Sequence, residues 1–236
     1  MVQVRKNGER GHFDFGWLDT FHTFSFGRYV DRRWMGFSTM RVLNDDLIAP
    51  GQGFGLHPHD NMEIISYVVS GQLAHRDSLG NVRTISPGEI QAMSAGSGLE
   101  HSEFNPSATQ RTRLIQTWIR PAVTDTVPRY DQKQFPVHDE PGKLHLLASP
   151  DGEAGSLRIG QDARMWAGVF PKQVTIEVPA ASGRSLWLQV VGGRVQLGEH
   201  LLEDGDGAAI TGGECPVLTA LPGADAAAHV LLFDLP

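Results

Sequence analysis

The stretch GFGLHPHDNMEIISYVVSG, residues 53–71, decides how this chain is read. Its second half, EIISYVVSG, is an apolar, β-branched run that ends on a glycine and reads as a buried strand. It is entered through His57 and His59, with Pro58 between them. Residues at i and i+2 of an extended segment point to the same face. The segment therefore presents two imidazoles side by side, as a β-scaffold does when it offers them to one metal ion.

Other strand signals follow outward from it. TRLIQTWIR, KLHLLAS, SLWLQVVGG and HVLLFDLP are short and β-branched or aromatic. RDSLGN and LEDGDG read as tight turns. Few segments have a helical period, so an all-β chain is predicted. Residues 121–136, PAVTDTVPRYDQKQFP, are weakly patterned and Pro-rich, and are expected to be a linker. The halves on either side resemble each other. YVVSGQLAH (67–75) answers to LQVVGGRVQL (188–197), and SPGEIQAM (86–93) answers to EDGDGAAI (203–210). A repeat of this kind predicts two similar β-domains, 1–125 and 126–236.

Composition sets bounds. The 236 residues suffice for one large or two modest domains with cores. Lys and Arg number 20 and Asp and Glu 27, a formal charge of -7, which disfavours direct nucleic-acid binding. The single cysteine, Cys215, allows no internal disulfide and fits a reducing compartment. No apolar leader or membrane-length stretch is visible, so a cytoplasmic protein without a membrane partner is expected.

A second dyad lies in SAGSGLEHSEFN, residues 94–105, where His101 and Glu103 are again i and i+2. Two dyads on neighbouring strands give three imidazoles and one carboxylate. That set suits Zn, Cu, Fe or Ni and leaves positions open if the ion is six-coordinate. An isolated histidine in a β-domain is usually a satisfied polar residue; the paired spacing sets these apart. Glu63 competes with Glu103, but along a straight strand it lies about 13 Å beyond His59. It is assigned a supporting role. Because the histidines must be neutral to ligate, affinity is expected to fall as pH drops through about 6.5.

Here the chain resembles a known family. GQGFGLHPHDNMEIISYVVSG is similar to the first cupin motif, with Gly51, His57, His59, Glu63 and Gly71 matching and one extra residue before the last glycine. GEIQAMSAGSGLEHSEFN is similar to the second, with Gly88, Gly96, His101 and Asn105. Ser94 stands where proline is usual, and the Gly96–His101 gap is longer than usual. These segments, with GWLDTFHTFSFGRY, MGFSTMRVLNDDLI and the final LLFDLP, resemble the pirin branch, over nearly the whole chain. The resemblance implies a bicupin: two jelly-roll-type cupin β-barrels in tandem, with metal in the first only. It implies His57, His59, His101 and Glu103 as ligands of one mononuclear divalent ion, Fe(II), with Cu, Mn, Ni and Zn as alternatives. Bacterial relatives are described as quercetin 2,3-dioxygenases, which implies a flavonoid-like substrate and O2, with Glu103 as general base. Phe54, Leu56 and Met93 are expected to line the pocket. The eukaryotic branch acts as a nuclear transcriptional co-regulator, so the alternative is a non-catalytic, iron-dependent regulator that binds a protein partner; a cupin-type sugar isomerase is a third reading.

In the second half, Pro179 and Ala181 fall opposite His57 and His59, and Leu218 and Ala220 opposite His101 and Glu103. None ligates metal. His75–Asp77 shares the letters HRD with a kinase loop but lacks its context, and reads as strand end and turn. DGDG at 204–207 lacks a closing Glu for a calcium loop. The aromatics Phe13, Phe15, Trp17, Phe21, Phe24 and Phe26 are expected mainly in the core, with one or two at the pocket mouth.

Overall fold

The computed structural model describes residues 1–179, 183–213, 217–221 and 227–236; Ala181 and Cys215 lie outside them. The chain opens with β1 (Val2–Arg5), β2 (Gly11–Asp14), β3 (Leu18–His22), β4 (Met40–Ile48), β5 (Gly53–His59) and β6 (Glu63–Ser70). It continues with β7 (Leu73–Asp77), β8 (Val82–Ile85), β9 (Glu89–Ser94), β10 (Leu99–Phe104), β11 (Thr112–Ile119) and β12 (Arg129–Gln134). Then come β13 (His145–Ser149), β14 (Leu157–Arg158), β15 (Arg164–Phe170), β16 (Val174–Ile176), β17 (Ser185–Gly192) and β18 (Arg194–Leu197). The last strands are β19 (His200–Glu203), β20 (Gly207–Ile210), β21 (Leu218–Ala220) and β22 (Ala228–Leu235). Helix among the described residues is confined to two short 3-10 turns, Asn7–Glu9 and Glu153–Gly155.

Two compact units result. One comprises Gly11–Phe135 and Pro150–Gln161; the other comprises Met1–Arg10, Pro136–Ser149 and Asp162–Pro236. The division is thus less simple than a single cut at residue 125. β1 pairs with β20, Val2 opposite Ile210 and Arg5 opposite Gly207, so the first strand belongs to the C-terminal unit. The segment expected to be a linker carries β12, which pairs with β9 from Arg129↔Ser94 to Gln134↔Glu89. Its sequence, RYDQKQ, is that of a charged edge strand, which blunts the hydrophobic alternation by which strands are recognised.

Each unit sets a large sheet against a small one in the jelly-roll manner; the sheets are not hydrogen-bonded into closed cylinders. In the first unit the large sheet runs β12-β9-β6-β11-β4-β3-β2 and the small one β5-β10-β7-β8. Its apolar packing includes two clusters. One holds Leu18, Ile48, Val68, Leu73, Ile85 and Leu114; the other holds Ile64, Met93, Ala95 and Leu99. Each fully buried side chain of this size contributes about 1.5–3 kcal/mol. Between the clusters the inner face turns polar. The register His22↔Asn44, Asn44↔Gln116, Gln116↔Ser66 and Ser66↔Gln91 carries one row of hydrogen-bonding side chains across five strands.

Candidate metal centre

β10 brings both halves of the site together. It pairs with β5 on one side, His101 opposite His57, and with β7 on the other, Glu103 opposite His75. A register shift between His101 and Glu103 on the β5 side places Phe54, rather than Gly55, opposite Glu103. The rings of His57 and His101 have centroids 4.4 Å apart, His57 and His59 4.8 Å, and His59 and His101 4.9 Å. One ring nitrogen from each histidine lies within 4.8 Å of the others, the span of one metal ion's donors.

The donor set fits a cation. His57 Nδ1 lies 2.7 Å from the Gly55 carbonyl oxygen. A carbonyl only accepts, so in the neutral ring Nδ1 carries the proton and Nε2 keeps its lone pair for a ligand. His101 is fully buried, and neither ring nitrogen has a hydrogen-bond partner among the described residues. An unsatisfied buried polar group costs about 1–3 kcal/mol, so a ring stripped on both sides calls for a partner from outside the chain. Burial, then repulsion from His101 and His57, lowers the pKa of His59 to about 4. Burial, then His57 and His75, lowers that of His101 to about 3. For these two rings proton competition therefore moves below the region near 6.5 expected from isolated imidazoles.

Glu103 is 1 % exposed and held by the polar row. Its Oε1 accepts from Ser66 Oγ at 3.2 Å and from Gln91 Nε2, and its Oε2 accepts from Gln116 Nε2 at 2.8 Å. Both glutamines are oriented in turn: Gln91 Oε1 accepts from the Tyr130 hydroxyl at 3.3 Å, and Gln116 Oε1 from the Trp118 indole at 3.1 Å. Glu103 groups with His101 and His75 rather than within the tight trio of His57, His59 and His101. Glu63 stands elsewhere. Its Oε2 accepts from Ser94 Oγ at 2.7 Å, and its carboxylate fills the space that a side chain on Gly160 would need.

A cavity of about 820 Å³ opens onto this cluster, with His57, His59 and Glu103 in its wall. Phe54 lines it. Leu56 and Met93 do not: Leu56 is 67 % exposed on the outward side of β5, and Met93 is packed with Ile64, Ala95 and Leu99. Phe13, Phe15, Trp17 and Phe26, expected mainly in the core, also line the cavity. Phe24 does belong to the core.

Sequence reasoning passed over His75. Asp77 does end a strand and begin a turn, accepting from the Leu79 and Asn81 backbone at 3.0 Å. His75, however, is buried against His101, with ring centroids 5.4 Å apart, and stacks on Tyr130 at 4.4 Å. Its Nε2 donates to Asp77 Oδ2 at 3.0 Å. Burial alone would raise the Asp77 pKa, but hydrogen bonds from His75 and Asn81 outweigh it and hold it low. The signal was present in the alternation Leu73, His75, Asp77, the i, i+2 rule that marks the other dyads. Ser66, Gln91 and Gln116, polar residues at inward positions of apolar strands, were missed for the same reason.

A two-sheet β-unit with a histidine cluster in the wall of its cavity has the architecture of a cupin. Residues 3–119 match the pirin family, and residues 146–235 match the quercetinase C-terminal cupin domain. The chain is 44 % identical over 236 residues to an Escherichia coli K12 protein named quercetin 2,3-dioxygenase, covering 100 % of this chain and 99 % of the relative. The crystal structure of YhhW from E. coli, 44 % identical, aligns with a TM-score of 0.90 over 100 % of this chain and 98 % of that one. The same bacterial pirin in complex with nickel(II) aligns with a TM-score of 0.89, also at 44 % identity, over 100 % and 99 % of the chains. The chain belongs to the pirin family of bicupins.

Proposed function

We propose that this protein is a metal-dependent dioxygenase that cleaves a flavonol such as quercetin with O2 and releases CO. The observation that carries the reading is the fully buried His101, unpartnered on both nitrogens, within a histidine trio that meets an aromatic-walled cavity. The names of the E. coli relatives, a quercetin 2,3-dioxygenase and a nickel(II)-binding pirin, support it. We assign His57, His59 and His101, with Glu103, as holders of one divalent ion, and Fe(II) as the native metal. Glu63, hydrogen-bonded to Ser94, is assigned a supporting role outside the cluster.

Bound there, a divalent ion supplies Lewis acidity toward the hydroxyl and keto oxygens of the substrate. The chain does the rest. The depressed pKa values of His59 and His101 keep both rings neutral at physiological pH. Gln91, Ser66 and Gln116 hold the Glu103 carboxylate at the cavity wall. Its Oε2, which accepts one hydrogen bond against two for Oε1, is the oxygen with capacity to take the proton of the substrate hydroxyl. The aromatic wall receives a flat ligand and excludes water.

The test is oxygen uptake with quercetin, read together with CO release and loss of the flavonol's visible absorbance. Metal-replete protein should exceed an equal amount of free metal, and His101→Ala should fall to that control. A wild-type rate no higher than free metal for any flavonol would make this a metal-dependent binding protein instead.

A further inference from the structure

Charge is unevenly placed around the cavity. Its two carboxylates, Asp46 and Glu103, are buried. Arg28 is the only arginine or lysine among the described residues of its lining, and it is exposed. Acids in the neighbouring segments are taken. Asp14 accepts from the Gly16 N–H at 2.7 Å, Asp19 lies 2.6 Å from His12 Nε2, and Asp31 pairs with Arg33 at 3.1 Å. Arg28 has no hydrogen bond or ion pair among the described residues.

An exposed arginine is ordinarily left to water, but this one is held in place. Phe26 and Tyr29 exchange backbone hydrogen bonds of 3.0 and 2.9 Å, so Gly27 and Arg28 form a two-residue hairpin turn. Gly27 supplies the positive φ, 56°, that the first position of such a turn requires. Phe26 anchors the turn edge-on against Trp118 and His22, with ring centroids 5.3 and 5.2 Å away. Trp118 in turn meets His59 at 4.8 Å, whereas Phe26 has no ring contact with the three clustered histidines. The cation is thus mounted on a short turn at the cavity rim, and Trp118 stands between that turn and the cluster. Beside an apolar wall it attracts an anion more strongly than it would in open water. A planar carboxylate matches the arginine fork with two parallel hydrogen bonds. The chain's formal charge of -7 would otherwise repel such a ligand.

We propose that Arg28 is a specificity-determining residue that receives a carboxylate carried by the substrate at the end remote from the metal centre. This rests on the proposed function and narrows its substrate class from flavonols at large to flat hydroxy-keto aromatics with an anionic arm.

The experiment titrates metal-loaded protein, anaerobically, with 4′-carboxy-3-hydroxyflavone and with its 4′-carboxamide. The two ligands have one shape and differ in charge. Wild type should bind the carboxylate about three- to tenfold more tightly than the amide, the range of a part-exposed, charge-assisted pair. Arg28→Gln should erase that preference, Arg28→Glu should turn it toward the amide, and added salt should shrink it in wild type. No preference in wild type, one that survives Arg28→Gln, or one that salt leaves unchanged would overturn the inference alone. So would binding of unsubstituted 3-hydroxyflavone with neither 4′-substituted ligand accepted. Failure of wild type to bind 3-hydroxyflavone, quercetin or either probe would overturn it together with the proposed function.

Discussion

The small sheet β5-β10-β7-β8 of one unit and β16-β21-β18-β19 of the other follow the same order. The large sheets agree as well, β9-β6-β11-β4 corresponding to β20-β17-β22-β15. Even the outer strand corresponds, β12 beside β9 in one unit and β1 beside β20 in the other. The interiors do not agree. Where β10 carries His101 and Glu103, β21 carries Leu218 and Ala220, both buried in a core with Leu186, Leu188, Val190 and Ile210. The same scaffold can therefore be closed by hydrocarbon or opened by histidines. The unit with histidines gives up apolar burial and gains an unsatisfied polar cluster that calls for an outside ligand.

The sharpest way to break this contrast is to remove a ring from the first unit. His101→Ala, His57→Ala and His59→Ala should each lower metal affinity by more than about a hundredfold, beyond what loss of a supporting residue costs, while circular dichroism shows the β-fold retained. A core change in the second unit should do the reverse. Leu188→Ala should cost about 2–5 kcal/mol in chemical denaturation by opening a cavity in packed hydrocarbon, with metal content per folded chain unchanged. If Leu188→Ala instead strips the metal, the two interiors are not independent alternatives.

The carboxylates sharpen the comparison within the first unit. Glu103→Gln should lose metal and turnover together, whereas Glu63→Gln, which keeps its contact with Ser94, should retain most of the metal. The opposite order, read by elemental analysis, would assign the ligand to Glu63.

A smaller effect is expected from pH on metal-free protein. His59 and His101 have folded pKa values of about 4 and about 3, against 6.5 for the free ring. The unfolded chain therefore binds more protons through that window, and stability must rise with pH there. The contribution is full above about 6.5 and is lost as pH falls toward 4. The denaturation midpoint of wild type should drop between pH 7 and pH 4.5 more steeply than that of His101→Leu. Equal slopes would mean that the cluster is not desolvated.

Much of this was legible in the sequence, because β-structure writes its faces in period two. The pairs His57/His59 and His101/Glu103 announced themselves by that period, and the faint repeat survives as strand register. Gly71 and Gly193, and likewise Gly88 and Gly205, occupy matching turns with positive φ. What escaped notice lacked either a period to read or a partner nearby in sequence. β12 is a polar edge strand, so its sequence resembles a linker. Met93 and Phe54 are both apolar, and only the register decides that one faces packed hydrocarbon and the other the cavity. His75 has the right spacing to Asp77, yet its partners Tyr130 and His101 come from distant strands.

One of the two matching interiors should hold one ion, through His57, His59 and His101. Elemental analysis of protein purified without added metal, then reconstituted with Fe(II) and desalted, tests it most directly. One ion per chain is expected in wild type and close to none in His101→Ala, with folded protein in both. Two tightly held ions per wild-type chain, or full occupancy in His101→Ala, would contradict it.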